Sequence, residues 1–386
     1  MSAKMMKITI AGWALAVLAL LPAAGRGEDM PPDYKPTSAP ESGAFAGILQ
    51  TGCSSCGAGI LGASGPSYLS SGGCSDGSCE GGCFPGRKNC TECVGTNCVS
   101  RMFCAFHDCL CCPDPCYEGR WIAAANSAFF VDGARPVSQM RLRWDYGNNL
   151  VLPDRSEYFW GKIGGGRGPS KPETRVNYSQ LTIYNEAATE RFSVFTEMPY
   201  LSLNNSVNPG AAGFGDLKVG TKSMLLDCEL IQLSFQFTTS IPVGNSTKGL
   251  GTGHVSLEPS LIAAIKLYPD TYLQAQISQW CPIAGSDFAG GVLHYHFSLN
   301  HVICRPVGDT QLVGTLEFNG YSFESGAYTD PVLGRQASTG TTYASIGPGI
   351  RYIICDKVDF GFGAAFAVTD PHFANQLFRT EFRWRF

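Results

Sequence analysis

The residues of this chain best suited to chemistry are two histidine–serine sets. His296, Ser298 and Asn300 alternate along one stretch, and His254 and Ser256 lie two apart in another. A histidine near a serine can take the hydroxyl proton and activate the oxygen as a nucleophile, so a hydrolase is the enzymatic reading to weigh. A second group is cysteine: Cys53-x-x-Cys56, Cys90-x-x-Cys93 and Cys109-x-x-Cys112 have the spacing of thiolate zinc ligands. Two further matches carry nothing. Gly73-Cys74-Ser75-Asp76-Gly77 has the letters of a nucleophile elbow, but no strand pattern precedes it and no helix pattern follows. Gly164-Gly165-Gly166-Arg167-Gly168 lacks the Lys-Ser/Thr of a phosphate loop and runs into Pro169, so it reads as a flexible external loop.

What must position these residues is a β pattern. From Phe378 to the end, Phe378, Thr380, Phe382, Trp384 and Phe386 fall on one face, and Arg379, Glu381, Arg383 and Arg385 fall on the other. Successive strand side chains point to opposite sides of a sheet, so this strand has an apolar side and a charged side. A water-facing row of aromatics is a liability in a soluble protein; lipid accepts it. The same period predicts strands at 138–146, 174–185, 190–200, 214–226, 231–242, 255–267, 271–281, 291–303, 310–322, 341–354, 357–368 and 375–386, twelve in all. Within 291–303, Leu293, Tyr295, Phe297 and Leu299 take the apolar face, which turns His294, His296, Ser298 and Asn300 to the other.

Composition divides the chain. Lys4 and Lys7, an apolar run over 8–21 and the small residues Ala23, Ala24 and Gly25 have the layout of a secretory signal peptide over 1–25. Residues 26–52, rich in Pro, Ser, Gly and Ala, read as a flexible linker. Residues 53–116 hold thirteen of the seventeen cysteines and few large aliphatic residues, so any compact form depends on cross-links. Export into an oxidising space, with His107 the one histidine of that block, favours disulfides over zinc; no C-x-x-C is followed by His, so haem attachment is not indicated. Thirteen is odd, which leaves a thiol for Cys228, Cys281, Cys304, Cys355 or another chain; Cys304 and Cys355 fall in neighbouring turns and are candidates to bond each other. A net charge of −4 without a basic run argues against nucleic acid. No run after the signal reaches the ~18 apolar residues of a membrane helix. The mean hydropathy of −0.01 decides nothing, since barrel strands bury only alternate residues in lipid.

The links between strands alternate in length. Those over 204–213, 243–254 and 324–340 are long and Gly-rich, whereas 227–230, 268–270, 304–309 and 355–356 are tight turns. Trp144, Tyr200, Tyr268, Tyr272, Trp280 and Trp384 fall near strand ends, where interfacial girdles belong. Together these features predict an all-β fold, an antiparallel transmembrane up-and-down β-barrel of about twelve strands over 117–386, in a bacterial outer membrane with residues 53–116 in the periplasm. A soluble β-sandwich is the competing architecture, and the terminal aromatic favours the barrel. The apolar-rich stretch 120–131 would make a thirteenth strand, and 117–137 is assigned as a lead-in or plug; Glu157-Tyr158-Phe159-Trp160, inside a loop, stays unassigned.

Two stretches carry a family resemblance. Gly213-Phe214-Gly215-Asp216-Leu217 with Lys222, then Pro242-Val243-Gly244 and Gly249-Leu250-Gly251-Thr252-Gly253, resemble the G-x-G-D-L and P-x-G…G-x-G-x-G signatures of the outer-membrane proteins named for the MetA pathway of phenol degradation. The resemblance covers about residues 138–386 and implies a transport-type barrel. The cysteine-rich part departs from it.

The function expected is a porin-like channel for passive passage of small solutes, narrow because twelve strands fall between filled and open barrels. Parity places Arg141, Arg143, Lys218, Lys222, Glu258, Lys266, His294, His296, Glu317, Arg351, Arg379, Arg383 and Arg385 on the pore lining. Basic groups there outnumber Asp145, Asp216, Glu258, Glu317, Asp359 and Glu381 by nine to six, which favours anions. Phe386, Trp384 and Phe382 are the expected insertion signal for the barrel-assembly machinery, with outer-membrane lipids outside. No metal or other cofactor is expected. The alternative is a structural or adhesive envelope protein anchored by its barrel. A lipid hydrolase ranks below both: outer-membrane phospholipases are barrels of similar size using His, Ser and Asn, but parity turns these residues into the lumen, away from lipid.

Overall fold

The computed structural model describes residue 104 and residues 119–151, 168–283, 288–330, 332–370 and 372–386. The expected signal peptide, the linker, the cysteine-rich segment apart from Cys104, and Glu157 to Trp160 lie outside these residues.

Twelve long strands alternate in direction along the chain: β1 (Gln139–Leu150), β2 (Val176–Ala188), β3 (Phe192–Asn205), β5 (Leu217–Asp227), β6 (Ile231–Ile241), β7 (Ser256–Tyr268), β8 (Thr271–Pro282), β9 (Val292–Cys304), β10 (Thr310–Phe323), β13 (Thr342–Ile354), β14 (Val358–Ala367) and β15 (Ala374–Arg385). Three short strands join them: β4 (Ala211–Phe214), β11 (Ala327–Asp330) and β12 (Gly334–Ala337). Each long strand pairs with its neighbours, and β1 also pairs with β15, Gln139 opposite Arg385 and Leu150 opposite Ala374. The sheet is thereby a closed antiparallel barrel without an edge.

All twelve long strands fall where the period-two pattern places them. The strand expected at 214–226 is broken at Gly215-Asp216, so that β4 pairs with the outer half of β3 and β5 with its inner half. The β11–β12 hairpin was not anticipated, because four residues are too few for alternation to register. Cys304 makes no disulfide, which overturns the candidate Cys304–Cys355 bond; Cys104 and Cys228 are each disulfide-bonded.

The wall is apolar outside and polar inside. On β9, Phe297 and Leu299 are exposed while Ser298 and Asn300 are fully buried; on β15, Phe382 and Trp384 face out while Glu381, Arg383 and Arg385 are buried within. Short turns share one rim with the start of β1 and the end of β15, and long loops share the other. At the long-loop rim Glu173 ties two loops together, accepting hydrogen bonds from the backbone N–H groups of Ser206, Val207 and Asn208. Burial pushes its carboxyl up, but these donors, Asn208 first, hold it below the ordinary carboxylate range.

Residues 119–138 lie inside the barrel. They enter at the short-turn rim, where a Cβ on Gly119 would collide with Asp227, and leave by the same rim, where Ser138 accepts a backbone hydrogen bond from Phe386. Near that rim Ala123, Ala124, Ala125, Ala128, Val131 and Ala134 pack against inward-facing Ile262, Ala264, Tyr272, Val302, Val313 and Ile353. Small side chains let the segment fit within a wall of twelve strands.

Candidate functional site

A backbone buried inside a barrel has no strand beside it, so its N–H and C=O groups need side-chain partners. The wall supplies them. Glu317 accepts from the N–H groups of Phe129 and Phe130 at 2.8 and 2.9 Å, Gln274 from Ala128 at 3.0 Å and Gln276 from Asp132 at 2.9 Å. Asn300 donates to the Ala124 carbonyl at 2.8 Å, Arg351 to Ser127 at 3.0 Å, Arg383 to Asn126 and Ala128 at 2.6 and 2.8 Å, and Arg379 to Phe129 at 2.6 Å. The rings are held as well: the guanidinium groups of Arg351, Arg379 and Arg385 lie over Phe129, Phe130 and Trp121 at 4.3, 4.3 and 3.9 Å. Phe129 rests on a glycine cradle, since a Cβ on Gly349, Gly361 or Gly363 would come within 2.5, 2.7 or 2.9 Å of its ring.

The arginines are also tied to carboxylates. Arg351 bridges Asp359 at 2.5 Å and Glu381 at 2.8 Å, Arg385 reaches Asp359 at 2.5 Å, and Arg383 reaches Glu381 at 2.6 Å. Arg379 and Arg143 share Asp145, Arg143 also meets Glu197, Arg141 meets Asp132, and Lys222 meets Glu186. Lys266 is placed differently, at the short-turn rim with the exposed Glu229. Asp132, Glu186 and Glu197 add three carboxylates to the six counted from parity, and Lys266 leaves eight of the nine cations inside, so the expected basic excess is not present.

Between the inner segment and the long-loop rim lies a chamber of about 190 Å³. Phe129, Phe130 and Asp132 form its floor; Lys218, Glu258, His294 and His296 line it, and Trp280, Tyr321 and Tyr178 add ring surface. Its mouth is narrowed by the loop before β7. Asp216 accepts from the N–H groups of Gly244 and Thr252 at 3.1 and 2.8 Å, drawing that loop inward so that Leu250 is buried against Leu150, Val176 and Leu201. A Cβ on Gly251 would overlap the Asp216 carboxylate. The two glycine-rich motifs, separate in sequence, therefore meet at one knot.

The histidine–serine sets are not wired for nucleophilic attack. Ser298 donates to Asn300 at 2.6 Å, and His296 meets Asn319 at 2.9 Å. His254 bonds the Thr252 carbonyl, and His294 meets Glu258 at 3.1 Å. Among the described residues no cluster of His, Cys, Asp and Glu is arranged to hold a metal.

No family model matches the chain, so its likeness to the MetA-named proteins rests on the two motifs alone. No curated protein matches it either. Solved structures that it resembles include outer-membrane channels and porins and the translocator domains of autotransporters. An outer membrane channel from Pseudomonas putida F1 aligns with a TM-score of 0.45 at 10% identity, over 65% of this chain and 96% of that one. The KdgM porin in complex with disordered oligogalacturonate aligns with a TM-score of 0.36 at 8% identity, over 64% and 99%. The NanC porin aligns with a TM-score of 0.36 at 7% identity, over 64% and 100%.

Proposed function

We propose that the protein is an outer-membrane channel for small solutes, closed in this state by its own segment 119–138. The observation that carries this reading is the clasp itself: a barrel with an apolar outer face and a polar lumen is stopped by a loop held through side-chain hydrogen bonds and ring contacts, all of which can be broken without unpairing a strand. On this reading the short-turn rim is periplasmic. Residues 1–25 are the export signal, and residues 53–116, cross-linked by disulfides after a linker, stand on the periplasmic side. Charge gives no reason to favour anions once nine carboxylates face eight cations. Planar-bilayer recording of the full chain tests the reading: rare openings of small conductance are expected, and a bilayer that stays silent even with the clasp broken would sink it.

A second reading has its own observation. The apolar cluster of Ala123, Ala128, Ile262 and Ile353 fills the short-turn end of the lumen, as suits a barrel that only anchors an envelope protein. Silence in the same recordings would favour this reading. The hydrogen bonding of the histidine–serine sets gives no support to a lipid hydrolase.

Phe386, exposed beside Trp384 at 5.5 Å between ring centroids, is proposed with Trp384 and Phe382 as the signal that the assembly machinery reads. Its side chain is bound to nothing inside, so deleting it should leave the closed wall intact and strand the protein in the periplasm. Normal amounts of heat-modifiable, membrane-embedded protein after the deletion would refute the role.

A further inference from the structure

The chamber above the inner segment has two unlike walls. On one side Arg143, Asp145, Glu197 and Arg379 pair with one another. On the other, β6, β7 and β8 present Gln236, Thr238, Ser240, Ser256, Gln276 and Ser278, six hydroxyl or amide side chains around the one carboxylate Glu258, which Ser278 and His294 hold. Ser256 is 1% exposed and its Oγ makes no hydrogen bond to any described residue. Gln236 is 5% exposed; its Nε2 donates to Asp132, but its Oε1 likewise bonds to none of the described residues. Buried polar atoms of this kind are costly unless something meets them.

We infer that the chamber binds one neutral polyhydroxylated molecule of hexose size. The inference rests on reading the lumen as a solute path and names what the path takes. A hydroxyl group donates and accepts at once, so it can give its proton to Gln236 Oε1 and exchange a hydrogen bond with Ser256 Oγ. An ammonium or carboxylate ligand would meet Glu258 and Glu197 together with Lys218 and Arg143, and gain from one sign what it loses to the other. The chamber of about 190 Å³ exceeds the about 150 Å³ of an engineered cavity that takes one benzene ring, so it has room for a single six-membered ring. Trp280 and Tyr321 offer ring surface to its C–H faces.

The test is isothermal calorimetry of the full chain in detergent with D-glucose as probe. Choline chloride and sodium gluconate serve as charged counterparts, sucrose as the larger one. Glucose should bind saturably, and the other three at least about tenfold more weakly. Ser256→Ala should weaken glucose several-fold and Ser256→Ala with Gln236→Leu by about tenfold or more, with heat-modifiable migration confirming the fold. Should the double variant fail to fold, Ser256→Ala, which removes one oxygen, carries the test alone. No glucose binding, equal binding of choline or gluconate, or unchanged binding by folded variants would overturn the inference. Binding in detergent does not depend on conduction. A protein that conducts without binding glucose defeats this inference alone, and one that binds glucose without conducting defeats only the channel reading.

Discussion

Phe129→Ala combined with Glu317→Gln should convert a closed barrel into one that conducts for most of a recording. Removing the Phe129 ring empties the cradle of Gly349, Gly361 and Gly363 and the cation–π contact with Arg351, a change of the kind that costs about 3–5 kcal/mol in a core. Glutamine at 317 keeps one acceptor for the two N–H groups of Phe129 and Phe130 and turns a donor toward the other, where a charged acceptor contributed about 1.5–3 kcal/mol per bond. These losses fall on the closed state alone, since a withdrawn segment makes neither contact. At about 1.4 kcal/mol per tenfold, even half of that sum moves a closed barrel across the midpoint. Gly361→Val should reach the same result from the wall side by filling the seat that the ring needs. The measurement is open probability in planar bilayers, and folded double variants that open as rarely as wild type would show that the clasp does not gate.

Arg351→Leu should be the single substitution most damaging to the barrel itself. The guanidinium is almost fully buried between Asp359 and Glu381 and also holds the Ser127 carbonyl. Leucine would leave two buried carboxylates with one arginine fewer between them, and removing one partner of a buried pair typically costs about 3–5 kcal/mol. The temperature at which the compact electrophoretic band disappears should fall by roughly ten degrees. Arg351→Lys, which keeps the charge but not the fork, should fall in between. A transition within a degree or two of wild type in Arg351→Leu would mean that Arg383 and Arg385 suffice for both carboxylates.

The contrast between wall and clasp shows what sequence alone can convey. A strand with one lipid-facing side repeats its chemistry every second residue, so Leu233 to Ile241 or Phe378 to Phe386 declare both their extent and their orientation. Glu197 does not, because β3 is apolar on both faces: Phe195 and Leu201 are buried inside while Val194 and Tyr200 are exposed outside. Glu186 escaped because β2 runs to Ala188, beyond the expected end of its strand. The inner segment was visible only as a misfit. Its wall contacts run largely through backbone N–H and C=O groups, which every residue carries, and no period announces them. In the sequence Asp216 is one letter of a motif, and the knot it ties to Gly244 and Thr252 exists only through three-dimensional proximity.

The inner segment enters and leaves the barrel by one rim, and this gives it a mechanical character. A strand threaded through from rim to rim would resist a pull along its axis by shear, with all its bonds loaded together. A loop pulled from the end that precedes Gly119 is peeled instead: Trp121 leaves Arg385 first, then the Ala124 carbonyl leaves Asn300, then the Glu317 and Arg379 contacts at the apex give way, and those of Asp132 with Gln276 and Arg141 bear tension after them. The force needed at any instant is that of a contact or two, and the work is spread over the length of the withdrawn chain. The β1 end of the loop stays moored beside β15, so the same loop can fall back along the path it left.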